Sequence, residues 1–190
     1  MTGEYEHIIT LLSFVYALAL THLLSRIGGL LMARARVRFS GLLTLAIGNS
    51  VFAVFANWLV LWNMHGVGHW NLANVASEFC FAALIYTQCI VCTPETDKEG
   101  EVDMNAFYWA QRRLFYLMNT AAKGIALIGV LVYAMTTGGF TPKDAIGPAI
   151  AMLPALLGLF APQRWAQWIA GAGVFLAYCG FTAVYVAGRL

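Results

Sequence analysis

Residues 114–135 form an almost wholly apolar run of 22 residues in which Lys123 is the single charged side chain. A helix rises about 1.5 Å per residue, so this run is about 33 Å long, close to the hydrocarbon thickness of a bilayer, about 30 Å. The run therefore predicts a membrane-spanning helix. Lys123 is its tenth residue. The lysine would lie roughly 13 Å from the start of the run, near the middle of the bilayer.

Five further apolar runs accompany this one. The chain is 61% hydrophobic and 11% charged, whereas soluble proteins carry about 25% charged residues. Its 11 basic residues against 9 acidic ones are too small an excess for a nucleic-acid-binding surface. The sequence predicts an all-α integral membrane bundle of six transmembrane helices. Residues 1–190 form a single domain, with spans at about 8–32, 41–62, 72–92, 114–135, 146–160 and 165–187.

The distribution of lysine and arginine predicts the orientation of the spans. Cytoplasmic loops collect these residues, whereas aspartate and glutamate count for little. One predicted side carries most of them, and the other carries Lys143 and Arg189. We expect the first side to be cytoplasmic, so both termini lie outside and the acidic loop 93–105 lies in the cytoplasm. The residues on the cytoplasmic side are Arg34, Arg36, Arg38, Lys98, Arg112, Arg113 and Arg164.

Polar side chains inside predicted spans are the first candidates for function. Ionisable residues at this depth are costly and commonly mark proton relays or solute pathways. The intramembrane polar candidates are Glu78, Lys123, His22, Asn49 and Asn119.

We do not expect Glu78 and Lys123 to pair directly. Their heights differ by roughly 7 Å on straight helices, and their side chains lean in opposite directions. The prediction is two polar sites, with Lys123 near Asn119, Asn49 or His22. Glu78 would then lie near Asn57, Asn74 and the outer surface. Two alternatives stay open: Lys123 extends toward cytoplasmic water, or a partner subunit supplies the opposite charge.

The sixth predicted span carries a stripe of small residues at steps of three and four. Such a stripe lets another helix backbone approach closely in a membrane. The neighbour is either another helix of the chain or a second copy, which would make the protein a homo-oligomer. The stripe consists of Ala166, Ala170, Gly173, Ala177 and Gly180.

Metal and cofactor sites have weak support in the sequence. His65 and His69 flank two glycines, and they are the weak candidates for metal ligands. Cys89 and Cys92 have the CxxC spacing, but no second pair completes a zinc site. A b-type haem usually needs two facing histidines, and only His22 lies deep. We therefore expect no metal and no cofactor.

The segments THLL, RVRFS, NW and AFYWAQRR occupy residues 21–24, 36–40, 57–58 and 106–113. In these segments the chain resembles a loosely defined group of small uncharacterised bacterial inner-membrane proteins. The likeness covers roughly the first two thirds of the chain. That group has no established activity. The resemblance therefore implies a multi-helix protein of the bacterial inner membrane and adds no chemistry.

Two classes of function follow from these observations. The first, which the small size of the chain and its lack of a convincing internal repeat favour, is a structural or accessory membrane protein that acts through helix–helix association, alone or with a partner membrane subunit. The second is a small transporter, channel or proton-conducting protein that uses Glu78, Lys123 and His22. No known catalytic motif occurs in the sequence, so an enzyme is the less favoured interpretation. The expected surroundings are the lipid bilayer, with no nucleic acid.

Overall fold

The computed structural model describes residues 2–63, 72–96, 100–137 and 142–187. Within these ranges the chain forms six α-helices and a short parallel pair of strands. The strands are β1 (Val37–Arg38) and β2 (Val102–Asp103), and a 3-10 turn at Arg34–Arg36 precedes β1. The prediction of an all-helical fold is confirmed. The helices are α1 (Thr2–Met32), α2 (Gly41–Asn63), α3 (Leu72–Val91), α4 (Met104–Thr137), α5 (Pro142–Phe160) and α6 (Arg164–Ala187).

Five of these helices, α1 to α4 and α6, are long and apolar enough to cross a membrane. The sixth, α5, has a shorter apolar part, Ala145–Phe160. Pro148 and Pro154 both lie inside it. Five of the six predicted spans therefore have the length and composition of a membrane helix.

Helix α4 begins at Met104, ten residues before the predicted span at residue 114. Asp103 is the reason, because its Oδ1 accepts hydrogen bonds from the backbone N–H groups of Asn105 and Ala106, both at 2.9 Å. A carboxylate in this position satisfies N–H groups that have no partner within the helix. Arg112 and Arg113 thus belong to the same helix as Lys123.

Helix α2 lies in the middle of the bundle. It packs against α1, α3, α4 and α6, while α5 packs against α4 and α6. Two polar residues of α2, Asn49 and Ser50, are fully buried among these neighbours. In lipid, such polar groups are stabilised when side chains of adjacent helices provide hydrogen-bond partners.

The small-residue stripe of α6 lies partly inside the bundle. Ala166 and Ala170 are fully buried. A Cβ on Gly173 would lie 2.8 Å from the Pro154 side chain of α5, so the absence of a side chain permits this close approach. Gly180, by contrast, is exposed. The stripe therefore begins in intramolecular packing and ends at the outer surface of the bundle.

The connections at residues 33–40, 92–96 with 100–103, and 161–163 lie together, and we call this the basic end of the bundle. Strands β1 and β2 pair there in parallel, and Arg38 forms an ion pair with Asp103 at 3.3 Å. Arg36 donates hydrogen bonds to the carbonyl oxygens of Gly100 and Thr96, at 3.3 and 3.4 Å. These contacts hold the acidic loop against the segment between α1 and α2.

Candidate functional site

Lys123 is buried between α4 and α6. Its side chain is 7% exposed, and its Nζ donates a hydrogen bond to the hydroxyl of Tyr178 at 2.5 Å. The same Nζ lies 4.1 Å from the centroid of the Tyr178 ring, within range of a cation–π interaction. No ion pair to Lys123 occurs in the described part of the chain. The ammonium is thus held by a tyrosine without a carboxylate beside it.

Tyrosines extend this polar region toward Glu78. Tyr16 of α1 is buried and lies in the neighbourhood of both Tyr178 and Glu78. Glu78 and Lys123 form no direct ion pair in the described ranges. The sequence predicts no direct pair between these two charges and places Lys123 near Asn119, Asn49 or His22. However, Lys123 is bonded to Tyr178, which was not among the residues proposed for its surroundings.

A chain of hydrogen bonds crosses from α4 through α3 to α2. Asn119 Nδ2 donates to Gln88 Oε1 at 3.2 Å, and Gln88 Nε2 donates to Ser50 Oγ at 3.2 Å. Cys92 Sγ donates to the same Ser50 oxygen at 3.3 Å. Asn119, Gln88 and Ser50 are all fully buried. Such an interhelical network contributes stability because each member satisfies a neighbour that lipid cannot.

The chain continues from Cys92 to His22. The single S–H of Cys92 has a second acceptor within reach, the backbone carbonyl of Cys89 at 3.3 Å, and this carbonyl also accepts a hydrogen bond from Thr93 Oγ1 at 3.0 Å. A ring nitrogen of His22 lies 3.1 Å from Thr93 Oγ1. Polar atoms are therefore in contact from Asn119 to His22, while the Cys92 S–H donates to Ser50 or to Cys89 at any one time.

His22 opens onto a cavity of about 610 Å³ at the basic end. Charged and polar side chains line this cavity together with apolar ones, so water can fill it. The hydrogen-bonded chain thus ends at a water-accessible surface. The ionisable lining residues are His22, Arg26, Glu95, Glu101 and Asp103.

Asn49 lies beside this chain but has a different partner. Its Nδ2 donates to the backbone carbonyl of Gly171 on α6 at 2.9 Å. Its Oδ1 has no hydrogen-bond partner in the described ranges, and neither does Asn119 Oδ1. Two buried amide oxygens therefore remain as free acceptors close to the chain.

A second polar cluster joins α4, α5 and α6 nearer the basic end. Tyr108 donates to Gln167 Oε1 at 2.7 Å, and Gln167 Nε2 donates to the carbonyl oxygens of Gly158, at 2.9 Å, and Ala161. Arg112 also donates to the Gly158 carbonyl at 3.3 Å. These bonds cap carbonyl groups at the end of α5, which is a structural role.

Three predicted site residues concern metals and cofactors: His65, His69 and His22. His65 and His69 lie outside the described residues. Among the residues that the structure does describe, no three histidine, cysteine, aspartate or glutamate side chains could hold a metal ion together. His22 is bonded to Thr93 and stacks edge-on against Tyr86, with ring centroids 6.4 Å apart.

Sequence reasoning missed several members of the site. Tyr16, Tyr178 and Ser50 were not singled out, and Cys92 was noted for its CxxC spacing but not as a hydrogen-bond donor. A signal for the tyrosines does exist, since each carries a hydroxyl group well inside a predicted span. A buried tyrosine hydroxyl usually has a hydrogen-bond partner, so the two residues pointed to polar surroundings.

We compared the chain with known protein families, curated proteins and solved structures. No protein-family model matches the chain, and no curated protein or solved structure matches it either.

Proposed function

We propose that the chain is a multi-pass membrane protein that moves protons across the bilayer, with Lys123 as its central proton-binding group. The observation that carries this proposal is the burial of Lys123 beside Tyr178, with no ion-pair partner among the residues that the structure describes. A primary amine can bind and release a proton. Placing a lysine inside the membrane costs free energy, so such lysines are rare and usually mark a functional site.

The polar groups on either side of Lys123 support the proposal. Tyr16 and Glu78 lie on one side, and on the other side a hydrogen-bonded chain leads from Asn119 to His22 and the cavity. Amide groups do not exchange protons readily, so Gln88 and Asn119 would not themselves carry the proton. Glu78, Lys123 and His22 are the groups that would carry the proton.

We further propose six spans, with the basic end in the cytoplasm and both termini outside. Helix α5 has 19 residues and is therefore about 28 Å long, close to the thickness of the hydrocarbon core. Its residue Ala155 is fully buried, and α5 packs between α4 and α6. A bacterial plasma membrane fits the excess of arginine at the basic end.

Proton flux into liposomes tests the function. The purified protein is reconstituted into vesicles that contain a pH-sensitive dye, and a potassium diffusion potential drives proton entry. We expect flux above that of empty vesicles for the native chain, and loss of that flux in Lys123→Met. Lys143→Met is the matched control, because Lys143 lies outside the apolar runs. Native flux in Lys123→Met, or no flux from the native chain, would reject the proposal.

A second candidate is an accessory protein that associates with another copy or with a partner subunit. Gly180 favours it, because this end of the stripe is exposed and a Cβ there would have nothing within 4 Å. Gly180→Leu would then dissociate the assembly in mild detergent, as measured by native mass. Gly173→Leu cannot serve as the test, because its side chain would clash with Pro154 inside the chain.

A further inference from the structure

We propose that Asn119 Oδ1 is a second acceptor for the Lys123 ammonium, and that the lysine side chain exchanges between Tyr178 and Asn119. The exchange itself is independent of the proposed function, but its role in proton movement rests on that function. It would carry the proton of Lys123 from the tyrosine side of the bundle to the chain that leads to His22.

The first step concerns a buried acceptor without a donor. Asn119 is fully buried and its Nδ2 donates to Gln88, while its Oδ1 has no partner in the described ranges. Leaving a buried polar atom unsatisfied costs about 1–3 kcal/mol. A fold that retains such an atom in the middle of an apolar bundle gains from any donor that can reach it.

Gln88 cannot be that donor, because its orientation is set by Ser50. The Ser50 hydroxyl donates to the carbonyl of Ala46 at 3.0 Å, so its oxygen accepts from Gln88 Nε2. The amide nitrogen of Gln88 therefore faces Ser50, and its oxygen faces Asn119 Nδ2. Asn119 Oδ1 is left for another donor.

Lys123 is a donor on the same face of α4. Its ammonium has three N–H donors, and Tyr178 accepts one of them. Asn119 lies four residues earlier in the same helix, so the two Cβ atoms are about 5–6 Å apart on one face. Helical side chains lean toward the N-terminus, which for Lys123 is the direction of Asn119. Rotation of the lysine side chain is enough for the exchange.

The exchange breaks one hydrogen bond and makes another. The N–H···O bond to Tyr178 is lost, a similar bond to Asn119 Oδ1 forms, and the proton stays on Nζ. The ammonium moves from Tyr178 on α6 to Asn119 on its own helix. The titratable groups near the starting position are Tyr178 on α6 and, beyond it, Tyr16 on α1 and Glu78 on α3.

Solid-state NMR in lipid vesicles tests this proposal directly. The protein is labelled with nitrogen-15 at lysine Nζ and carbon-13 at the asparagine side-chain carbonyl, and dipolar dephasing reports pairs within about 4–5 Å. We expect a contact in the native protein, because a hydrogen bond of about 2.9 Å from Nζ to Oδ1 puts these nuclei within that range. The contact should be lost in Asn119→Leu and kept in the matched control Asn49→Leu.

Tyr178→Phe gives a second measurement on a chain that keeps the ring. Removing the hydroxyl leaves Asn119 as the better acceptor, so the contact should become stronger than in the native protein. Absence of any contact in both the native chain and Tyr178→Phe would overturn the proposal, as would a contact that survives in Asn119→Leu.

Flux measured on the same vesicles separates the two proposals. A contact that depends on Asn119 in vesicles without proton flux would reject proton movement and retain the exchange. Proton flux that depends on Lys123 in vesicles without the contact would retain proton movement and reject the exchange.

Discussion

The Asn119 amide of α4 donates to the Gln88 side-chain carbonyl of α3 at 3.2 Å, and both residues are fully buried. This bond links two helices in the buried interior of the bundle. Because Gln88 also donates to Ser50 of α2, one side chain holds three helices together.

Replacing Gln88 by leucine should destabilise the bundle. Asn119 Nδ2 would lose its acceptor and remain buried, which costs about 1–3 kcal/mol. Stability is measured by unfolding in mixed detergent micelles with increasing denaturing detergent. The double variant Gln88→Leu with Asn119→Leu should recover part of the loss, because it removes the unsatisfied donor. If the double variant loses as much as the two single variants added together, the two side chains are not coupled.

Gly158 of α5 should not tolerate a larger residue. A Cβ there would overlap the ring of Tyr116 on α4, and Tyr116 is fully buried. We expect Gly158→Ala to lose about 1–3 kcal/mol through overpacking, seen as a lower midpoint of thermal unfolding. Gly147→Ala in the same helix is the control, since a Cβ at that position has nothing within 4 Å. An equal effect at both positions would mean that helix propensity, and not the contact with Tyr116, decides the outcome.

The sequence predicts the helices of this protein better than their mutual rotation. Apolar length places five membrane helices, since hydrocarbon accepts only segments that satisfy their own backbone. It also identifies Lys123 and Asn119 as buried polar residues. The contacts between helix faces depend on packing between segments that are distant in the chain. The partnership of Lys123 with Tyr178, 55 residues away, and that of Gln88 with Ser50 could not be derived from spacing.

The start of α4 should weaken at low pH. Hydrogen bonds from the Ala106 and Asn105 amides, and the charge of Arg38, hold the pKa of Asp103 below its usual value of 3.8. As the pH falls, the unfolded form therefore binds a proton before the folded form does. The stabilisation is complete above about pH 3.8 and is lost as the pH falls through the lower pKa of the folded chain.

Hydrogen exchange at Ala106 and Phe107, corrected for the intrinsic rate at each pH, measures this effect. Protection should fall below pH 3.8 in the native chain. It should be low at every pH in Asp103→Ala and independent of pH in Asp103→Asn, which keeps an acceptor oxygen without the charge. If Asp103→Asn retains the native pH dependence, another group is responsible.

The proposed orientation predicts which engineered cysteines a membrane-impermeant maleimide can reach in intact cells. Ala35 and Leu72 are both exposed and lie at opposite ends of the bundle, Ala35 beside Arg34 and Arg36 and Leu72 at the start of α3. The basic end should face the cytoplasm because arginine-rich loops are retained there. Leu72→Cys should therefore react from outside, whereas Ala35→Cys should react only after the cells are permeabilised. Both are made in a chain with Cys80, which is exposed, replaced by serine, and that chain is the control. Reaction of Ala35→Cys in intact cells would reverse the orientation and put the cavity beside His22 on the outer surface.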